Sequence, residues 1–219
     1  MDLYLLPGLS ADHRLFHRLE LGQHRMICLE HPELSKGDRI SDIAARHMEA
    51  IDRTTPHAFI GVSMGGMIAQ EMAAMAPPTR LILISTWKGP QEMPRHVLAL
   101  RGTHPERMIT PFLMGRVAPL MRMLRWQLGL TDRSTEELVQ AMMRSFPLSQ
   151  LQRQVDAALN WDGPGTAVAV DAHIHGTRDR LMPIALIADP IPVQGGGHVM
   201  VIDRAREIGR MVLGILREA

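Results

Sequence analysis

The side chains best placed to do chemistry in this chain of 219 residues lie in three short stretches. The first is Gly61-Val62-Ser63-Met64-Gly65. It falls between an apolar run, 58–62, and a segment in which Met64, Met67, Ile68, Met72 and Met75 recur at helical spacing. A serine on so sharp a strand-to-helix turn takes a strained backbone conformation, and a side chain at either flanking glycine position would collide with it. The turn lifts the hydroxyl clear of the strand and sets it at the positive end of the following helix, where developing negative charge is stabilised. With 18 glycines and 8 serines in the chain, chance would produce the five-residue pattern only about 0.05 times. The second stretch, His175-Gly176-Thr177-Arg178-Asp179-Arg180-Leu181-Met182-Pro183, offers a carboxylate in a glycine-containing loop. The third, Gln194-Gly195-Gly196-Gly197-His198-Val199-Met200, offers an imidazole after a glycine run. A hydroxyl, an imidazole and a carboxylate are the groups that nucleophilic catalysis by serine requires.

These residues need elements to bring them together. Short aliphatic runs at 3–6, 26–29, 58–62, 81–84, 167–174 and 191–193 predict six strands. Helical patterns lie between them, at about 11–19, 41–54, after Ser63, and at 199–217. Strands without polar alternation, spaced by helices, predict an α/β fold: a mostly parallel sheet covered on both faces, with ligands beyond the carboxyl ends of the strands. Ser63, Asp179 and His198 then all fall at one edge of that sheet. The stretch 88–161 holds no convincing strand and reads as helices broken by Pro94, Pro105, Pro111, Pro119 and Pro147. In it Ser134-x-x-Glu137 suggests a capping box and Ser149 a further cap. The expected division is therefore a core of 1–87 and 162–219 with a helical cap, 88–161, inserted after the fourth strand. The cap carries Met93, Met108, Met114, Met121, Met123, Met142 and Met143, a residue type that suits adaptable apolar pockets as well as ordinary packing. Its 10 basic and 6 acidic residues leave room for an anionic substrate, though solvated arginines explain them equally.

Composition narrows the classes. A hydrophobic content of 46%, a charged content of 21% and a net charge of +1 describe an ordinary globule with no nucleic-acid partner. The single cysteine, Cys28, can form no intrachain disulfide, and there is no cysteine cluster for zinc. The opening Met1-Asp2-Leu3-Tyr4-Leu5-Leu6-Pro7 lacks the basic region of a secretion signal, and no run reaches the roughly 18 apolar residues of a membrane span. A cytoplasmic location with no membrane partner is the expectation. Competing explanations exist for each polar residue. Asp179 would serve equally as a turn residue, while Asp162 and Asp171 lack its loop context. His173-x-His175 puts two imidazoles on one side of a strand, but strand packing with loop hydrogen bonds accounts for them better than a metal. His13 and His17 flank Leu9 and read as surface positions.

Together these stretches resemble the α/β-hydrolase fold family over nearly the whole chain. Gly61-Val62-Ser63-Met64-Gly65 is similar to its nucleophile elbow, Gly176-x-x-Asp179-x-x-x-Pro183 to its acid loop, and Gly197-His198 to its histidine loop. The order serine, aspartate, histidine is the order that fold uses. The family's usual His-Gly after the first core strand is replaced here by Pro7-Gly8, and its leading antiparallel strands are missing. The resemblance implies a serine hydrolase acting on a small-molecule ester or thioester of a partly apolar acid, without cofactor or metal. It implies Ser63 as nucleophile, His198 as base, Asp179 as the residue that orients it, and the backbone N–H groups of Leu9 and Met64 as the oxyanion site. A lyase or carbon–carbon bond hydrolase with the same three residues, and a receptor without turnover, are the alternatives.

Overall fold

The computed structural model describes residues 1–110, 123, 125–130 and 132–217. Six strands, β1 (Asp2–Leu6), β2 (Arg25–Cys28), β3 (His57–Val62), β4 (Arg80–Ile84), β5 (Ala172–Gly176) and β6 (Ile191–Val193), form one sheet in the order β2-β1-β3-β4-β5-β6. Every neighbouring pair is parallel, with Leu5 opposite both Cys28 and Ile60, and Val62 opposite Ile84. Successive strand residues face opposite ways, so each face needs its own cover. Leu3, Leu5, Ile60 and Ile82 pack with Leu15, Phe16, Ile208 and Val212 on one side. Tyr4, Leu6, Phe59 and Leu81 pack with Ile43, Met67, Ile68 and Met72 on the other. The central strands β1, β3 and β4 are covered on both sides, which is why apolar residues run through them without polar alternation.

Helices α1 (Ile40–Met48) and α2 (Met64–Met75) follow β2 and β3. Between β4 and β5 the chain forms α3 (Arg95–Leu98), α4 (Arg133–Ser145) and α5 (Leu148–Leu159), and no strand among the described residues. Pro111, Met114, Pro119 and Met121 lie outside the described residues. After β6 come α6 (Met200–Asp203) and α7 (Ala205–Arg217).

Several elements depart from the expected spans, some for an evident local reason. The helix expected at 11–19 is a single 3-10 turn, His13–Phe16, because the Asp12 side chain accepts from the Arg14 N–H and starts the turn late. The helix expected at 41–54 stops at Met48. Helix α4 is capped by Asp132, whose Oδ1 accepts the Thr135 N–H at 2.8 Å, and not by Ser134. Hydrogen bonds from the Thr135 hydroxyl and N–H, and then Ser134, draw that carboxyl down to about 2. Ser149 lies inside α5, whose N-terminal boundary is Pro147. The fifth strand starts at Ala172 and not 167, because Asp171 bonds the Leu81 N–H through its side chain and pairs with Arg80, tying the chain down just ahead of the ladder. The closing helix breaks at Arg204.

Candidate active site

Ser63 ends β3 and begins α2 at φ 55°, ψ −123°, in the left-handed half of backbone space that a serine rarely enters. The neighbours hold it there. A Cβ on Gly61 would sit 2.4 Å from the Gly65 carbonyl oxygen, and one on Gly65 would sit 2.0 Å from that of Leu6. Only glycine lets the helix approach β1 and β3 this closely. The Ser63 N–H donates to the Ile84 carbonyl at 3.0 Å. Its own carbonyl accepts from the Thr86 hydroxyl at 2.6 Å and the Gly66 N–H at 2.9 Å.

The loops after β5 and β6 lock onto each other. The Arg178 N–H donates to Gly196, the Thr177 N–H to Val193, and the Gly195 N–H to the Thr177 hydroxyl. A Cβ on Gly176 would lie 2.3 Å from the Gly196 carbonyl oxygen. The His198 N–H donates to the Leu128 carbonyl at 2.8 Å, so part of the segment between β4 and β5 also helps to place the imidazole.

The structure brings Ser63, Asp179 and His198 into one chain of contacts. His198 Nε2 lies 2.9 Å from Ser63 Oγ, and its Nδ1 lies 2.8 Å from Asp179 Oδ2. A carboxylate only accepts, so Nδ1 carries the proton and Nε2 of the neutral ring accepts from the hydroxyl. The other Asp179 oxygen accepts the Met182 N–H at 2.8 Å. Asp179 is only 4% exposed. Burial alone would raise its carboxyl, but the attraction of His198 when protonated and the hydrogen bonds from His175, His198 and Met182 outweigh it, holding it well below the ordinary carboxylate range. It is therefore anionic at neutral pH.

Three further residues support the site: His175, expected to hydrogen-bond the loop though not to reach Asp179, and Thr86 and Leu128, whose roles the sequence did not show. His175 Nε2 lies 3.5 Å from Asp179 Oδ2 while bonding the Met182 carbonyl at 2.7 Å, so a second imidazole braces the acid loop. Thr86 and Leu128 act through a hydroxyl and a carbonyl that no motif marks. His173 bonds the Thr86 carbonyl at 3.1 Å, so the pair of strand histidines is engaged in packing and hydrogen bonds. Asp162 and Asp171 pair instead with Arg101 and Arg80. His13 is exposed and bonds Glu30 at 2.7 Å, while exposed His17 turns back onto the Arg14 carbonyl.

Beside Ser63 opens a cavity of ≈ 350 Å³. Its walls come from the core (Leu9, Met64, Met67) and from the segment between β4 and β5 (Val139, Met142, Ala158). Among the described lining residues the side chains with polar atoms that can donate or accept strongly are those of Ser10, Ser63, Trp87 and His198, and none is acidic, lysine or arginine. The backbone N–H groups of Leu9 and Met64, both lining residues, meet no protein acceptor among the described residues. The potential metal ligands that cluster among the described residues are His104, Glu106 and Asp156, away from this cavity. His104 Nδ1 lies 3.2 Å from Glu106 and 3.7 Å from Asp156. No helix among the described residues is long and apolar enough to cross a membrane.

A family profile described as "Alpha/beta hydrolase family" matches residues 3–210. No curated protein sequence matches the chain. Among solved structures, a thermophilic esterase from Thermogutta terrifontis superposes with a TM-score of 0.72 at 16% identity, covering 100% of this chain and 90% of that one. An esterase from Exiguobacterium antarcticum gives a TM-score of 0.72 at 16% identity, covering 99% and 92%. Est816, an N-acyl homoserine lactone degrading enzyme, gives 0.66 at 18% identity, covering 98% and 92%. At such identities the likeness carries the fold alone.

Proposed function

The chain belongs to the alpha/beta hydrolase family, and on that premise we propose that it is a serine hydrolase that cleaves a carboxylic ester or thioester of an apolar, uncharged acyl group through an acyl-enzyme. The observation that carries this reading is His198, hydrogen-bonded to Ser63 Oγ on one side and Asp179 on the other, at the wall of an apolar cavity. Ser63 Oγ attacks the carbonyl carbon as its proton passes to His198 Nε2. The tetrahedral oxyanion is held by the N–H groups of Leu9 and Met64, donors of the kind whose individual loss costs about 10²–10³ in kcat. Collapse expels the alcohol or thiol with the proton from His198. Water then attacks the acyl-enzyme, giving its proton to His198 and releasing the acid and free Ser63. Asp179 keeps Nδ1 protonated and stabilises the imidazolium.

The lining favours an apolar acyl group over the anionic substrate that the positive charge of 88–161 left open. That segment is a cap in this reading, since Val139, Met142 and Ala158 roof the site. The enzyme acts on small molecules, in the cytoplasm, and needs no cofactor.

A fluorophosphonate probe with a panel of p-nitrophenyl acyl esters tests this. The expected result is labelling and ester hydrolysis that both disappear in Ser63→Ala. Folded protein that neither labels nor hydrolyses any ester above the Ser63→Ala control points instead to a receptor. Labelling without ester turnover points to lyase or carbon–carbon bond chemistry.

A further inference from the structure

The turn that presents Leu9 is held from outside itself. After β1 the chain forms Pro7-Gly8-Leu9-Ser10, closed by the Ala11 N–H on the Gly8 carbonyl at 3.1 Å. It passes so near the nucleophile that a Cβ on Gly8 would lie 3.1 Å from Ser63 Cβ and 3.7 Å from Ser63 Oγ. Ser10 sits at φ 52°, a conformation that costs free energy unless the surroundings enforce it. Two distant side chains do so. His31, just beyond β2, places Nε2 2.9 Å from the Gly8 carbonyl oxygen. Gln154, on α5 and 1% exposed, accepts the Ser10 N–H through Oε1 at 2.8 Å.

The Gly8 carbonyl and the Leu9 N–H are the two ends of one peptide group. No described peptide bond is cis, so they point in opposite directions. A donor fastened to that carbonyl therefore fixes where the N–H points, and by polarising the peptide it strengthens the N–H as a donor. Gln154 fixes the next N–H along. Between these two clamps the Leu9 N–H has no protein acceptor among the described residues. Since His31 bonds a carbonyl, its Nε2 carries the proton. Burial draws the ring's pKa below the ordinary histidine value despite the opposing Gly8 hydrogen bond, which keeps it neutral and in that form.

We propose that His31 and Gln154 are positioning residues for acyl transfer, holding the Gly8–Ser10 turn so that the Leu9 N–H is aimed at the oxyanion. The inference rests on the serine-hydrolase reading. It also explains how the turn manages with Pro7 beside Gly8: the imidazole arrives from the loop just beyond β2.

The experiment compares His31→Leu, which keeps bulk without a donor, with His31→Gln, which restores an N–H, and Gln154→Met with the parent. On the ester that the parent hydrolyses fastest, His31→Leu and Gln154→Met should lower kcat about tenfold or more while KM stays within about twofold, short of the 10²–10³ of a lost donor. His31→Gln should recover most of the rate. Affinity for a trifluoromethyl ketone that mimics the tetrahedral intermediate should fall in parallel with kcat, which a general loosening of the fold would not produce. Parent-like kcat in folded His31→Leu and Gln154→Met overturns the proposal, as does His31→Gln performing no better than His31→Leu. Should His31→Leu fail to fold, Gln154→Met and His31→Gln still decide. Ester hydrolysis persisting in Ser63→Ala would sink the parent reading instead, a result distinct from both.

Discussion

The contacts of Asp179 hold its carboxyl ionised, and shifts of this kind govern behaviour in acid. Asp179 is held below its ordinary value, so it contributes stability above about pH 4 that is lost as pH falls through its native value. Two buried histidines act earlier. Burial first, with His31 nearby, draws His47 down to about 4, and burial with His175 nearby draws His173 down to about 3. The unfolded chain then takes up these protons before the folded one. Stability is full above about pH 6.5 and falls below it, by about 1.4 kcal/mol per pH unit for each ring until its native value is reached. Urea midpoints measured from pH 7 to pH 4 should therefore fall less in His47→Gln and His173→Gln than in the parent. A His173→Gln protein that loses stability as steeply as the parent would remove this account. Ser63, Asp179 and His198 were legible because each sits in a turn whose chemistry is written in adjacent residues. Thr86, His31 and Gln154 were not, since their work is done across 23, 23 and 144 residues of chain.

Strands were easier to read than helices, and packing explains why. A strand covered on both faces favours apolar residues at successive positions, which survives as an unbroken run such as Leu81-Ile82-Leu83-Ile84, whereas β5, with buried His173 and His175, was placed less well. Helix ends depend on single side-chain bonds, and there the reading slipped: Asp132 and not Ser134 caps α4, and Asp12 delays the turn at His13. A glycine likewise means different things in different elements. Gly61 lies in β3 against Gly65 and Gly66, where an added methyl would stand 2.4–2.5 Å from backbone atoms that cannot yield. Gly214 lies on the exposed side of α7 with nothing within 4 Å. Gly61→Ala should cost about 3 kcal/mol or more and abolish activity, since it pushes α2 and Ser63 off the sheet. Gly214→Ala should add up to about 1 kcal/mol, raising Tm by about 2–4 °C with activity unchanged. Thermal melts with ester assays check both, and a neutral Gly61→Ala would show that the elbow is looser than its contacts indicate.

At the scale of the whole molecule, the ends of the strands carry Ser63, Asp179 and His198, and the segment between β4 and β5 lines much of the cavity beside them. The lack of a strand between β4 and β5 among the described residues was visible as a break in the strand–helix alternation. The shape of the space was not, because its walls combine residues as far apart in the chain as Leu9, Met67, Val139 and Ala158. Yet this shared cavity of ≈ 350 Å³ is what would select a substrate. An apolar wall discriminates by methylene count, at about 1–3 kcal/mol for each methylene gained or refused. Ala158, half-buried on α5, faces the cavity with a small side chain and is not one of the residues that touch the reacting atoms. Replacing it by tryptophan should fill part of the volume without moving Ser63 or His198. For Ala158→Trp, kcat/KM should fall tenfold or more on the longest p-nitrophenyl ester that the parent accepts, and stay within about twofold on the acetate. Uniform loss along the series would mean that the substitution had disturbed the catalytic groups. Uniform retention would mean that the acyl chain leaves Ser63 by another route, and that this cavity is not its binding site.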